Sequence, residues 1–274
     1  MINVFALFFS PTQNTMKATR AIATGIAKVV SDNDFFSIDL TGPDSRDGVY
    51  SFGPDDVIVL GMPTYAGRIP NKIEPYVSSS IYGEGAGAVP VVTYGNRNFD
   101  DALKELAYIL NNNGMHVLHG AAVPSEHAFT SELAAGRPND DDIAKLIEFG
   151  IGIGKEIANG TAKKINIEAL PGHDENNLQY YKPLTASGEP ANFLKAMPVT
   201  DMSRCKGCGE CKYACPMDCF KTSVSEPEGT CIKCHACIKV CPNKAKSFDN
   251  DQLASHIKMI TDANRDKEMN ISLF

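Results

Sequence analysis

The sequence predicts an α/β protein in two parts: a doubly wound domain around a five-stranded parallel sheet in residues 1–160, and a small α+β module in residues 199–250. Three observations carry this expectation. Apolar runs alternate with amphipathic helical stretches through the first part. Runs such as Val57, Ile58, Val59 and Leu60 are continuously apolar, as strands covered on both faces of a parallel sheet must be. Eight of the nine cysteines then fall into two copies of one pattern in the last third of the 274 residues. A chain of this length accommodates about two domains.

Taken in order, residues 2–9 read as the first strand, too short and too quickly followed by loop residues to be a signal segment. A helix over 14–30, a strand over 35–40, a strand over 56–62, a helix over 70–80 and a strand over 88–94 follow. A helix over 100–112, a fifth strand within 115–123 and a last helix over 140–158 complete the domain. Residues 161–198 are polar and carry the breakers Pro171, Gly172, Pro183, Gly188 and Pro190, which reads as an extended connector lying along the first domain. The tail, 251–274, offers one amphipathic helix over 252–261, with Leu253, Ile257 and Ile260 on the face that packs onto either domain.

Each cysteine run, Cys205, Cys208, Cys211, Cys215-Pro216 and Cys231, Cys234, Cys237, Cys241-Pro242, has the spacing C-x2-C-x2-C-x3-C-P, and the two copies are offset by 26 residues. This is the ligand set of two cubane [4Fe-4S] clusters. Structural zinc uses cysteine pairs across a longer loop and has no need of the third cysteine or the proline. Disulfides suit a secreted module, whereas Met1, Ile2 and Asn3 open no basic leader and no apolar run reaches about 18 residues; the expectation is a cytoplasmic, reducing location without membrane spans. Gly207 and Gly209 suit a loop whose amides turn inward, where the second loop carries Lys233 and Ala236. His235 is expected to face solvent. Cys219 is left over, either as an inert buried thiol or as a sulfur beside a cluster that tunes its potential or responds to oxidation.

In an open α/β sheet, ligands bind beyond the carboxyl ends of the strands, so three loops are candidates. The first, Ser10, Pro11, Thr12, Gln13, Asn14 and Thr15, enters a helix whose free N–H groups attract an anion; an ordinary N-cap cluster is the plain alternative. The second is Pro63, Thr64, Tyr65, Ala66, Gly67 and Arg68, and the third includes Thr93, Tyr94, Gly95, Asn96 and Phe99. Either could be a simple turn. After the fifth strand, His127 and Phe129 are further candidates for screening a cofactor or touching the clusters.

On these motifs the last third resembles bacterial two-cluster ferredoxins, and the three loops in order resemble those of flavodoxins. The whole is similar to the flavodoxin–ferredoxin fusion proteins of anaerobes. The resemblance implies a swapped ligand set, with Cys205, Cys208 and Cys211 sharing a cluster with Cys241, and Cys231, Cys234 and Cys237 sharing one with Cys215. It implies FMN, its phosphate on the first loop, Tyr65 stacked on the isoalloxazine, Gly67 near N5, Arg68 compensating charge on the reduced ring, and Tyr94, Gly95, Asn96 and Phe99 at ring edge and face. The function implied is electron transfer between the clusters, FMN and redox partner proteins, such as a ferredoxin or an oxidoreductase, with no acid–base catalyst. An FMN-dependent reductase of a small organic acceptor and a flavin-free docking module are the alternatives; a homodimer is compatible with either. The net charge of −7 and the lack of a basic stripe argue against nucleic acid, and residues 199–250 hold eight Lys/Arg against six Asp/Glu.

Overall fold

The computed structural model describes residues 2–32 and 34–274. In chain order the elements are β1 (Asn3–Phe8), α1 (Asn14–Val30), β2 (Phe36–Asp39), β3 (Tyr50–Phe52), β4 (Asp56–Pro63), α2 (Glu74–Ser80), β5 (Ile81–Gly83), β6 (Gly87–Tyr94), α3 (Ala102–Asn112), β7 (His116–Val117), β8 (Ala121–Pro124) and α4 (Asp140–Ala158). Then come β9 (Pro198–Thr200), α5 (Glu210–Tyr213), α6 (Ala236–Lys239), β10 (Lys246–Phe248), α7 (Asp251–Asn264) and β11 (Ser272–Leu273).

Five strands pair in parallel in the order β2, β1, β4, β6, β8. Ranked by chain position these principal strands read 2-1-3-4-5, the flavodoxin-type doubly wound order, whose switch point falls between β1 and β4. Period-two alternation divides the side chains between two faces: Leu7, Leu60 and Met62 pack with α2 and α3, while Val4, Ala6, Val57, Val59 and Val91 pack with α1 and α4. The helices α1 and α4 cross at bare backbone, since a Cβ on Gly25 would stand 2.1 Å from the Ile147 carbonyl. The expected fifth strand is split. Pro90, which has no N–H to give, sits where β6 changes partner from β7 at Gly87 and Ala88 to β8 at Val91 through Tyr94.

The chain returns to this sheet at its far end. β11 pairs antiparallel with β8, and Phe274 and Gly120 exchange backbone hydrogen bonds of 2.9 Å. Arg137 donates to Met269 O (2.6 Å), and Asn96 Nδ2 donates to Asn264 O (3.0 Å) and Lys267 O (2.9 Å). A two-residue strand carries no sequence signature, so only the helix of the tail was expected. The cysteine-rich module, with its antiparallel β9 and β10, thus falls in sequence between the body of the α/β domain and its last strand.

The connector is held along the first domain. Asp101 accepts from the backbone N–H groups of His173 (2.9 Å) and Gln179 (2.7 Å), which with the His173 side chain hold its carboxyl below the usual range despite burial. Tyr181 N–H donates to Ala66 O (2.7 Å), and the guanidinium of Arg97 lies 4.0 Å from the centre of the Tyr181 ring.

Candidate functional site

A cavity of about 830 Å³ opens at the carboxyl ends of β1, β4 and β6, within the roughly 300–1,000 Å³ range of small-molecule sites. Its floor is made by the three loops. Ser10 absorbs two N–H groups at the start of α1, accepting from Gln13 N through its carbonyl (3.0 Å) and from Met16 N through Oγ (3.0 Å). The N–H groups of Asn14 and Thr15 have no acceptor among the described residues, as at every helix start, and both residues line the cavity with Thr12.

The second loop turns sharply. Tyr65 and Arg68 exchange backbone hydrogen bonds of 2.7 and 3.2 Å around Ala66 (φ 49°) and Gly67 (φ 83°), a type I′ arrangement that carries Tyr65, Ala66 and Gly67 into the cavity wall. Thr64 lines the same wall, and its Oγ1 is buried with no partner among the described residues. Such an orphan is costly in a closed structure and fits a bound polar ligand. The third loop places Thr93, Tyr94 and Gly95 in the wall. A Cβ on Gly95 would lie 2.1 Å from His127 Cδ2, so the chain passes there only as glycine.

Five expected residues stand outside the lining. Ser10 and Gln13 shape the helix start, with Gln13 at φ 66°. Asn96 spends its amide on the tail, and Phe99 packs against Tyr94 (5.4 Å) and Phe274 (6.5 Å) in the core. Arg68 is turned away: its guanidinium pairs with Glu105 and lies 4.7 Å over the Tyr180 ring. The expectation of Arg68 beside the flavin is therefore revised, because a carboxylate as buried as Glu105 claims it. The cations that do reach the lining are Lys72, Arg97, Lys195 and Lys233.

A roof that the sequence did not reveal closes over the cavity. Tyr180, Tyr181, Phe193 and Met197 come from the connector, and His256 and Ile260 from α7. His256 stacks on Phe193 (5.3 Å) and shares a hydrogen bond of 2.8 Å between Nδ1 and Leu184 O; burial keeps its pKa below the usual value.

The cysteines form two groups. Cys205, Cys208, Cys211 and Cys241 surround one small cavity, and Cys215, Cys231, Cys234 and Cys237 surround another. Each group takes three sulfurs from one motif and the fourth from the other, so the donor sets fit two cubanes in the swapped arrangement. Positive φ occurs at Gly207 (68°) and Gly209 (81°), and 26 residues later at Lys233 (55°) and His235 (59°). The second left-handed position is thus His235, not Ala236. Backbone amides turn to sulfur in both motifs: Lys233 N to Cys231 Sγ, Cys219 N to Cys215 Sγ and Ala245 N to Cys241 Sγ, each at 3.3 Å. Cys219 lines the second group, 2% exposed, with its Sγ 3.5 Å from Thr230 O. Hydrogen bonding from the Cys219 thiol pulls Cys215 down to about 6 and Cys231 to about 7 and pushes Cys219 itself far up.

His235 corrects a second expectation. It is 6% exposed, its ring lying between Phe129 (4.6 Å) and Phe248 (4.9 Å), and its Nε2 is buried without a partner among the described residues. Burial depresses it to about 4. His127 meets Phe129 edge-on at 5.2 Å, and its Nδ1 accepts the Phe129 N–H (3.0 Å), which requires the neutral ring; burial, then His235, lowers it to about 3. These rings join the large cavity to the second cysteine group. Tyr65 sits at the same junction, its phenol pushed far up by burial and next by Cys234 and Cys231.

Residues 198–221 and 228–244 each match a family model described as a 4Fe-4S binding domain. The chain thus joins a doubly wound domain of flavodoxin-type strand order to a module that matches 4Fe-4S binding domains. Solved structures similar to it include a flavodoxin from the domain Archaea (16% identity, 57% of this chain and 99% of that one, TM-score 0.42). A Streptococcus flavodoxin (15%, 58% and 99%, 0.39) and the flavodiiron core of a Synechocystis protein (16%, 58% and 36%, 0.39) are also similar. No curated protein matches the sequence. Among the described residues no helix is long and apolar enough to cross a membrane.

Proposed function

We propose that the protein is an electron-transfer iron–sulfur flavoprotein, with FMN in the large cavity and a 4Fe-4S cluster in each cysteine group. One observation carries the reading: Cys231 lines both the large cavity and the second cysteine group. When bound, FMN supplies exchange of one or two electrons and each cubane exchange of one.

The protein's own residues do the rest. Thr12 and the Asn14 and Thr15 amides receive the phosphate through neutral donors at the start of α1. Thr64 Oγ1 supplies a hydrogen bond that no group among the described residues uses. Tyr65 and Ile232 fill the space between the cavity and the second cysteine group, while the Tyr181, Phe193 and His256 roof keeps water from the ring. Inward amides and the Cys219 thiol hold negative charge on the sulfurs of Cys215, Cys231 and Cys241. The partners on this reading are redox proteins.

A second reading, reduction of a small organic acceptor at the flavin, is favoured by His127 and Phe129 lining the cavity. Absorption spectra and acid release of flavin from anaerobically purified protein test the first reading. Turnover with reduced ferredoxin and a panel of acceptors separates the two, since a carrier shows none.

A further inference from the structure

The two cysteine groups differ in what covers them. The second is enclosed: Cys234 and Cys237 are buried, Phe129 of the α/β domain packs against His235 at 4.6 Å, and Lys239 pairs with Glu126 at 2.6 Å. The first faces outward. Cys208 is exposed, as are Lys206 and Gly207 beside it.

The rim of that first group is cationic on a chain of net charge −7. Arg204, Lys206, Lys212 and Lys244 are exposed, and each lies within three residues of a first-group cysteine. None enters an ion pair among the described residues. Of the two nearby acids, Asp201 and Glu210, the first is engaged by Ser203, whose N–H (2.9 Å) and Oγ (2.6 Å) both donate to it. Two large apolar side chains stand among the cations, Met202 at 62% and Tyr213 at 84% exposure. With four cations against these two acids the rim is net positive, and an apolar contact ringed by an excess of charge of one sign is the anatomy of a small, transient, electrostatically steered interface.

We propose that this face is the docking surface for an acidic redox protein, one that surrounds its own exposed cofactor with carboxylates. The inference rests on the reading that the first cysteine group holds a redox centre. The partner supplies the opposite charge, and contact over Met202 and Tyr213 brings its cofactor to the Cys208 side of the module. The exchange served moves one electron between the two proteins, with no bond made or broken.

The test uses anaerobically purified holoprotein, with iron, sulfide and flavin measured on each preparation. The probe is an acidic two-cluster ferredoxin in its oxidised form. Raising salt from about 0.01 M to about 0.15 M shortens the screening length from about 30 to about 8 Å and is expected to weaken binding of the native protein by roughly tenfold or more. Arg204→Glu, Lys212→Glu and Lys244→Glu together are expected to weaken low-salt binding by on the order of 10- to 100-fold and to abolish the salt dependence. Glutamine at the same three positions gives a smaller loss in the same direction and serves if the reversed variant loses iron. Lys28→Glu with Lys155→Glu, on exposed positions of α1 and α4, is expected to change binding little. Reduction rates by the reduced ferredoxin should follow the same order. Equal binding by native and reversed proteins, no detectable binding of the native protein at low salt, or an equal loss in the Lys28 and Lys155 variant overturns the proposal. Preparations with iron and no flavin refute the flavoprotein reading while leaving the docking measurement intact.

Discussion

Arg68→Ala should weaken the fold around the second loop while leaving the flavin's potential nearly unchanged. Glu105 is 2% exposed and accepts from Arg68 Nε (3.0 Å) and from Ile69 N (3.0 Å), fixing the loop that holds Thr64, Tyr65 and Gly67 in the cavity wall. At 3 Å and an effective dielectric constant of about 20, the gross attraction is about 5.5 kcal/mol. The Ile69 amide survives the substitution and Arg68 is partly solvated, so the loss should fall near the low end of the range for a broken buried pair, about 3 kcal/mol. That corresponds to about 6–12 °C in Tm. Desolvation already raises the Glu105 pKa, with Arg68 opposing it, so removal of Arg68 raises it further. A folded-state pKa above the unfolded one favours the protonated native form, and stability falls as pH rises through that window. The variant's deficit should therefore be largest at neutral pH and shrink as pH drops through the carboxylate range. Thermal melts across pH and a potentiometric titration of the flavin check this. Unchanged Tm with a shift of many tens of millivolts would place the guanidinium at the ring and refute the reasoning.

Cys241→Ala should remove only the first centre and Cys215→Ala only the second, each lowering iron from about eight to about four per chain; chemical iron analysis with electron paramagnetic resonance distinguishes them. Cys219→Ala should keep full iron and lower the potential of the second centre by roughly 40 mV, the value of about 1 kcal/mol of lost S–H hydrogen bonding for one electron. Thr64→Val should leave the flavin-free protein as stable or more so and weaken FMN binding by about tenfold, read by fluorescence titration. Because burial holds His127 near 3, its stabilising neutrality is present above the unfolded value of about 6.5 and is lost as pH falls below it; denaturant melts of His127→Gln should show a flatter profile between pH 7 and 4.

What was legible in the sequence was local. Eight cysteines at fixed spacing announced a cluster ligand set, with their grouping implied by the resemblance, and the parallel sheet was legible in runs such as Val57 to Leu60 that need cover on both faces, although its strand order was not. The three loops lay where the ends of β1, β4 and β6 put them. What was hidden depends on partners far away in sequence. Arg68 is drawn off by Glu105, 37 residues on. His235 is covered by Phe129, a loop residue of the other domain, and Asn96 serves a tail 168 residues away. The roof of Tyr181, Phe193 and His256 has no periodicity to betray it, since it is built from a connector and a single helix face.

The most direct test of the central claim is cofactor stoichiometry on anaerobically purified full-length protein, by acid extraction of flavin together with iron and sulfide analysis. The account predicts about one FMN, eight iron and eight sulfide per chain, with flavin emission quenched until the clusters are removed. Full iron and sulfide with no extractable flavin, and no uptake of added FMN, would contradict it.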